Sequence, residues 1–372
     1  MISLRTKTFV LAVSTLAGTI IGVGFFVLPY VTTQVGIWAM LAYFSVLGGI
    51  VILIHWLFGQ VALETPDFLR LPGYVERHLG SGWKKLAGLS MILGTFGALL
   101  AYMLIGGKFL NGLLGPAFGG SEFLYTLIYF GLSVIFIYFG IKSIAKLDVI
   151  FLISLFLIFS VIALSGLPYF KLKNLLASPS WDKLFLPYGP ILFALWGATM
   201  IPEIEEMLGR DKKLLGKAIF VGVLIPILVY LFFIVAIVGV SGAQNSPDAI
   251  SGLKPFLGEG IIGLGYLLGI LATFTSFIAL GLTLRKVFTF DFKINPSISF
   301  LLTAAVPLLL FLWGFQDFLS VISLVGGVAM GLEGILILLM YKKIRPNKVW
   351  LVLPLLLIFV LGMGYEIVYS LK

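Results

Sequence analysis

The chain has 372 residues, 60% of them hydrophobic and 11% charged, and a mean hydropathy of +1.14. Soluble domains carry about 25% charged residues, so too few ionic side chains exist here to clothe a water-soluble globule, and the apolar content equally excludes disorder. The net charge of +9 would suggest a nucleic-acid partner in a soluble chain. Here the basic residues fall between apolar runs and read as orientation signals, so no nucleic acid is expected. The absence of Cys excludes disulfides, iron–sulfur clusters and thiolate-bound zinc.

About 20 apolar residues cross a bilayer as a helix. Eleven such stretches follow one another: 7–33, 37–59, 86–110, 122–140, 147–168, 188–208, 214–240, 260–286, 296–313, 318–341 and 348–369. The run after Arg5 and Lys7 has no small-x-small cleavage site and reads as a retained first span, not a signal peptide. The expected class is an all-α polytopic membrane protein with the lipid bilayer as its surroundings. With the N-terminus in the cytoplasm, 19 of the 25 Lys and Arg residues lie in the cytoplasmic segments 1–7, 60–85, 141–146, 209–217, 285–295 and 342–348. The positive-inside rule favours this orientation, although Lys171, Lys173 and Lys183 dissent. Eleven spans then put the C-terminus outside. The polar gaps near 60–85, 169–187 and 241–259 are too short for a domain, so function is expected among the helices.

Two spans carry helix-breaking sequence. In span 1, Gly18, Gly22 and Gly24 precede Pro29; in span 6, Gly197 precedes Pro202. The two lie five spans apart, at matching places of an inverted five-plus-five repeat, and paired broken segments of this kind point to a transporter's binding site. Unpaired backbone groups in hydrocarbon are costly and survive only against protein or a wet cavity. The half-helix starting near Gly22–Gly24 offers N–H donors and a positive dipole end to a carboxylate. Carbonyls freed near Gly18–Ile21 and Phe193–Trp196 can accept from an ammonium group or ligate a cation. The expected ligand is therefore a zwitterion, an amino acid. The competing reading of Gly18-x-x-x-Gly22 is a helix-packing motif.

Residues 18–29 (GTIIGVGFFVLP) resemble the first-helix motif of the amino acid–polyamine–organocation superfamily. Residues 97–110 (GALLAYMLIGGKFL) and 194–213 (ALWGATMIPEIEEMLGRDKK) are similar to its amino acid/auxin permease and aromatic amino acid permease branch. The resemblance implies the inverted-repeat fold of sodium-coupled neurotransmitter symporters. Residues 1–169 would form the first repeat, 188–341 the second, and 348–369 a peripheral span. It implies secondary active amino acid transport by alternating access in the plasma membrane, with spans 1, 2, 6 and 7 rocking against 3, 4, 8 and 9. It also implies substrate contacts from Thr19, Ile20, Gly22, Val23 and Gly24 on one side and Phe193, Ala194, Trp196 and Gly197 on the other, with Tyr102 as a lid or carboxylate contact. The bulk of Trp196 argues against large substrate side chains.

Cation coupling comes with the resemblance. Sodium symporters of this fold join two span 1 carbonyls to a span 8 carbonyl and two adjacent hydroxyls. That implies the carbonyls of Gly18, Ile21 and Ala272 with the hydroxyls of Thr275 and Ser276, unless the hydroxyls bond within their own helix. Span 5 lacks the Lys that some proton-coupled relatives place there, Asp148 being its sole charge, which favours Na⁺. Aromatic amino acid permeases are generally regarded as proton-coupled, which favours H⁺; some sodium-dependent relatives have Asn where this chain has Gly18. Glu333, mid-span 10, is the proton candidate because a buried ionisable group in a membrane is functional by default. Glu366 is expected near the outer interface, His55 as a satisfied packing residue, and Glu203, Glu205 and Glu206 in cytoplasmic salt bridges with residues 210–213. His55 and His78 are too few for a metal-hydrolase pattern, and Gly216-Lys217 fails the phosphate-loop spacing. Neither an enzyme nor a covalent cofactor is expected. A second reading, an amino acid sensor without net transport, would need a soluble extension. Oligomeric state leaves no mark in the sequence.

Overall fold

The computed structural model describes residues 4–140, 156–157, 159–176 and 180–370. The start of the fifth span, with Asp148 and the cytoplasmic Lys142 and Lys146, lies outside them. The described residues contain helices and no strand. In chain order they form α1 (Leu4–Ile20), a 3₁₀ turn at Val23–Val27, α2 (Leu28–Val35), α3 (Ile37–Glu64), α4 (Leu71–Leu79), α5 (Ser81–Phe118) and α6 (Glu122–Phe139). After these come α7 (Phe159–Tyr169), α8 (Leu172–Leu175), α9 (Tyr188–Leu195), α10 (Ile201–Met207), α11 (Lys212–Ser241) and α12 (Lys254–Lys286). The last are α13 (Pro296–Leu312), α14 (Phe318–Leu324), a π turn at Val325–Met330, α15 (Gly331–Ile344) and α16 (Val349–Ser370).

Among the described residues seven helices are long and apolar enough to cross a bilayer, and α1 with residues 23–35 makes an eighth if the pair, bent by 52°, is one span. Of the other expected spans, α13 and the interrupted α9–α10 pair are shorter pieces, and α7 is the described part of the fifth. The 86–110 span is part of a much longer helix. At about 1.5 Å per residue, the 38 residues of α5 extend roughly 57 Å, beyond the ~30 Å of hydrocarbon. Residues 60–85, expected as a loop, hold the end of α3, the short α4 and the beginning of α5.

The helices pack in two groups. One contains α1, α2, α3, α10 and α11; the other contains α5, α6, α12 and α13. The α14–α15 run lies between them, touching α5 on one side and α3 and α9 on the other. Glycines permit the closest approach: Gly189 of α9 and Gly326 of the π turn meet backbone to backbone. No driving force separates a lipid tail from a Leu, so the protein's outward faces stay apolar, and Trp38, Trp313 and Trp350 remain at least two-thirds exposed.

One end of the molecule collects ionic contacts. Arg5 meets Asp211 at 2.5 Å, Arg345 pairs with Glu64, and Arg210 donates to the Leu63, Thr65 and Pro66 carbonyls at the end of α3. Of the three clustered glutamates, Glu205 faces Arg210, at 3.4 Å. The Leu214 N–H, the Arg5 guanidinium and the Lys213 N–H hold the Asp211 carboxyl below the usual carboxylate range. Elsewhere, Lys108 of α5 reaches the buried Asp248 in the loop between α11 and α12, at 2.9 Å.

Candidate substrate and ion site

The helical ladder stops twice at the middle of the fold. After Ile20 the chain is non-helical at Ile21–Gly22, where Gly22 is extended (φ −130°, ψ −158°), and resumes as the 3₁₀ turn. After Leu195, Trp196 is extended (φ −76°, ψ 120°) and Gly197 precedes a second 3₁₀ turn at Ala198–Met200. Pro29 and Pro202 each sit in the first turn of the helix that restarts, where a missing N–H costs nothing. The two breaks touch. A Cβ on Gly24 would lie 2.7 Å from Phe193 Cδ1 and 2.9 Å from Ala194 Cα. Only glycine permits that approach.

Each break has its freed groups engaged by a side chain from elsewhere. The Tyr230 hydroxyl of α11 lies 2.7 Å from the Ile20 carbonyl and 3.0 Å from the Ala194 carbonyl. One O–H therefore ties both breaks together. At the second break, Gly197 N–H donates to His55 Nε2 at 2.9 Å, while His55 Nδ1 lies 2.6 Å from the Val51 carbonyl. An acceptor at Nε2 and a donor at Nδ1 define the neutral tautomer. Trp196 Nε1 donates to Glu333 Oε2 at 2.7 Å. His55 is thus satisfied, as expected, and it also caps the break. Glu333 lies in the first turn of α15 and is aimed at span 6.

Beside the first break is a cleft lined by Ile21, Gly22, Val23, Phe25, Phe26, Tyr102, Ala272, Thr273 and Ser276. Its volume is about 10 Å³, roughly the room one water needs. Tyr102 closes it, its hydroxyl 2.8 Å from where a Cβ on Gly22 would stand. Phe25, Phe26, Phe109, Phe159 and Phe233 form a layer of edge-to-face and tilted rings on one side. An amino acid fits only after these elements part.

The expected contacts divide accordingly. Gly22, Val23 and Tyr102 line the cleft; Ile20, Gly24, Phe193, Ala194 and Gly197 form the seam between the breaks. Thr19 is brought to neither: it is exposed, and its hydroxyl donates to the Thr15 carbonyl of its own helix at 2.9 Å. Trp196 lies outside the cleft lining, and its ring N–H turns to Glu333. Among the cation candidates, Ile21, Ala272 and Ser276 share the cleft while Gly18 does not. Thr275 bonds within α12, to the Leu271 and Ala272 carbonyls at 3.1 Å. Thr273 lines the cleft, its hydroxyl likewise bonded within α12, to the Gly269 and Ile270 carbonyls at 2.8 and 3.1 Å.

Glu366, expected near the outer interface, is enclosed by protein rather than facing out of the bundle. It is 1% exposed, and its Oε1 accepts from the Gly189 N–H at 3.0 Å at the start of α9. Sequence reasoning also missed Tyr230, although its signal is legible: it is the sole polar side chain between Lys217 and Ser241.

Two broken helices packed seam to seam in an all-helical bundle define an integral membrane protein of the transporter type. Known structures share the fold. The inward-facing conformation of Mhp1 superposes with a TM-score of 0.70 at 15% identity, over 98% of this chain and 89% of that one. MhsT in complex with L-phenylalanine gives 0.64 at 16% identity, over 96% and 98%. The chain belongs to the tryptophan/tyrosine permease family, whose model matches residues 5–369. It is 26% identical to tyrosine-specific transport system 1 of Haemophilus influenzae over 93% of this chain and 92% of that protein. It is 24% identical to the tryptophan-specific transport protein of the same organism over 60% and 57%.

Proposed function

We propose that the chain moves an aromatic amino acid across the membrane by alternating access, coupled to a cation. The observation that carries this reading is the seam where freed Ile20 and Ala194 carbonyls lie within reach of one hydroxyl: acceptors from two separate breaks converge where an ammonium group would need them. The Gly22–Gly24 N–H groups supply the complementary end for a carboxylate. The tyrosine and tryptophan specificities of its relatives support an aromatic side chain. We read the topology as eleven spans with the N-terminus cytoplasmic and the C-terminus outside, in inverted repeats 1–169 and 188–341, with 348–369 peripheral.

Sodium is the first reading for the coupling ion, bound by the Ile21 and Ala272 carbonyls and the Ser276 and Thr273 hydroxyls. Four neutral oxygens from one cleft offset part of the cost of removing the ion from water. The proton reading has one observation of its own, the buried Glu333 carboxylate bonded to the second break. Uptake of labelled tyrosine and tryptophan into proteoliposomes, under sodium and pH gradients imposed separately, tests all of this. Sodium-driven accumulation supports the cleft site and proton-driven accumulation supports Glu333. Saturable binding with no uptake under either gradient would overturn transport in favour of a sensor.

A further inference from the structure

At the end of the molecule that carries Arg5, a groove of about 590 Å³ opens between α1, α3 and α11, lined by Phe9, Trp56, Lys212, Lys213, Lys217 and Phe220 among others. Its two halves differ in chemistry. Lys212 and Lys213 form the first turn of α11 and Lys217 the second, all exposed. None of the three is paired with a carboxylate among the described residues. The neighbouring acid, Asp211, is engaged by Arg5 and by the Lys213 and Leu214 N–H groups. Phe220 and Val221 lie eight or nine residues past Lys212, about 12–14 Å deeper along the helix. Trp56 stands two turns inside the end of α3, and Gly216, which has no side chain, leaves its ring room against α11.

We infer that this groove binds an anionic phospholipid, its phosphate-bearing head on the three lysines and its first acyl carbons against Trp56, Phe9 and Phe220. Charge complementarity selects the head: three cations face the groove with no counter-charge among the described residues. Depth selects the tail: the aromatic floor lies on the apolar side of the charged rim, where a free inorganic anion gains nothing. Basic pockets between membrane helices recognise anionic heads in this way, each Lys strengthening attraction to an anionic surface. Three lysines correspond to a preference on the order of a hundredfold over a zwitterionic head. Because α1, α3 and α11 belong to one packing group, an occupant joins three of its helices and stabilises that group.

The test is the unfolding midpoint of the purified full chain in zwitterionic detergent, titrated with phosphatidylglycerol, phosphatidylcholine or inorganic phosphate. Ligand that binds only the folded state raises the midpoint in a saturable way. We expect that rise with phosphatidylglycerol alone. It should vanish in Lys212→Gln/Lys213→Gln/Lys217→Gln, survive in the charge-keeping Lys→Arg triple, and survive in Lys342→Gln/Lys343→Gln. Equal shifts with both lipids, a shift with phosphate matching that of the lipid, or a shift retained by the Gln triple overturns the site. A second reading, which leaves the lysines intact and needs one conservative variant, is quenching of tryptophan emission by phosphatidylglycerol brominated on its acyl chains. A saturable component lost in Trp56→Phe supports the groove; its persistence there overturns it.

Discussion

Tyr230 holds more of the proposed transport geometry than any residue of the two broken segments themselves. It is fully buried, and its ring stacks on Phe25 at 6.0 Å while its single proton serves two carbonyls. Tyr230→Phe keeps the ring and strips the bridge. A buried carbonyl left without a donor costs about 1–3 kcal/mol. We expect a thermal midpoint lowered to match and maximal uptake reduced about tenfold or more; an unchanged uptake rate would show that the bridge does no work in transport. Glu333 allows a cleaner dissection. In Glu333→Gln the amide oxygen still accepts from Trp196 Nε1, so stability should change by less than about 1 kcal/mol, while a proton carried by the carboxyl is lost. Proton-driven uptake should disappear if Glu333 is the carrier and sodium-driven uptake should persist if the cleft is. Trp196→Phe, by contrast, strands the carboxyl and should destabilise by about 1–3 kcal/mol. The sequence exposed Glu333 because a carboxyl in an apolar run stands out. It hid the partner, since nothing local says that Trp196, 137 positions away, turns from the cleft to meet it.

At the scale of the element, glycine and proline spacing made the two breaks legible, because those residues act through their own backbone. Which carbonyl is bridged by what is a tertiary fact, and the sequence was silent on it. The same holds for the hydroxyls of α12: positions 272, 275 and 276 share a helical face, but a Thr in a helix can satisfy itself on the preceding turn, and here both Thr275 and Thr273 do. Of the two, Thr273 lines the cleft. The burial of Glu366 was not legible because a position near the end of a peripheral span says nothing of Gly189 and Gly327, whose missing side chains let α9 and the π turn close around it. The seam makes a sharp prediction. Gly24→Ala drives a methyl group to within 2.9 Å of the Ala194 backbone, which cannot give way as a flexible side chain would. We expect loss of uptake and a destabilisation of 1–3 kcal/mol from overpacking. Gly49→Ala in α3, where nothing lies within 4 Å of the new methyl, should leave uptake intact and gain about 0.5–1 kcal/mol of helix propensity. Thermal midpoints and uptake of the two variants, measured side by side, separate a seam effect from a general intolerance of Gly replacement.

For the molecule as a whole, the proposed mechanism uses the division into two packing groups joined through α14–α15, which would let a closed cleft open without dismantling either group. The cleft as it stands admits one water-sized sphere, so binding there would require separation of α1–α2 from α12. The wild-type sequence contains no Cys, which makes a single introduced thiol readable against zero background. Ser276→Cys exchanges one small side chain of the lining for another and puts the thiol beside Tyr102 and Gly22. A membrane-impermeant thiol reagent should label it slowly in reconstituted chain at rest. Adding tyrosine or tryptophan with the coupling ion should change the labelling rate several-fold, and in opposite directions from the two faces of the membrane. That antisymmetry distinguishes alternating access from simple loosening of the cleft, which raises reactivity from both sides together. Labelling equal from both faces and insensitive to substrate would mean that the two groups do not move against each other around this cleft, and the rocking mechanism would fail even if the chain transports.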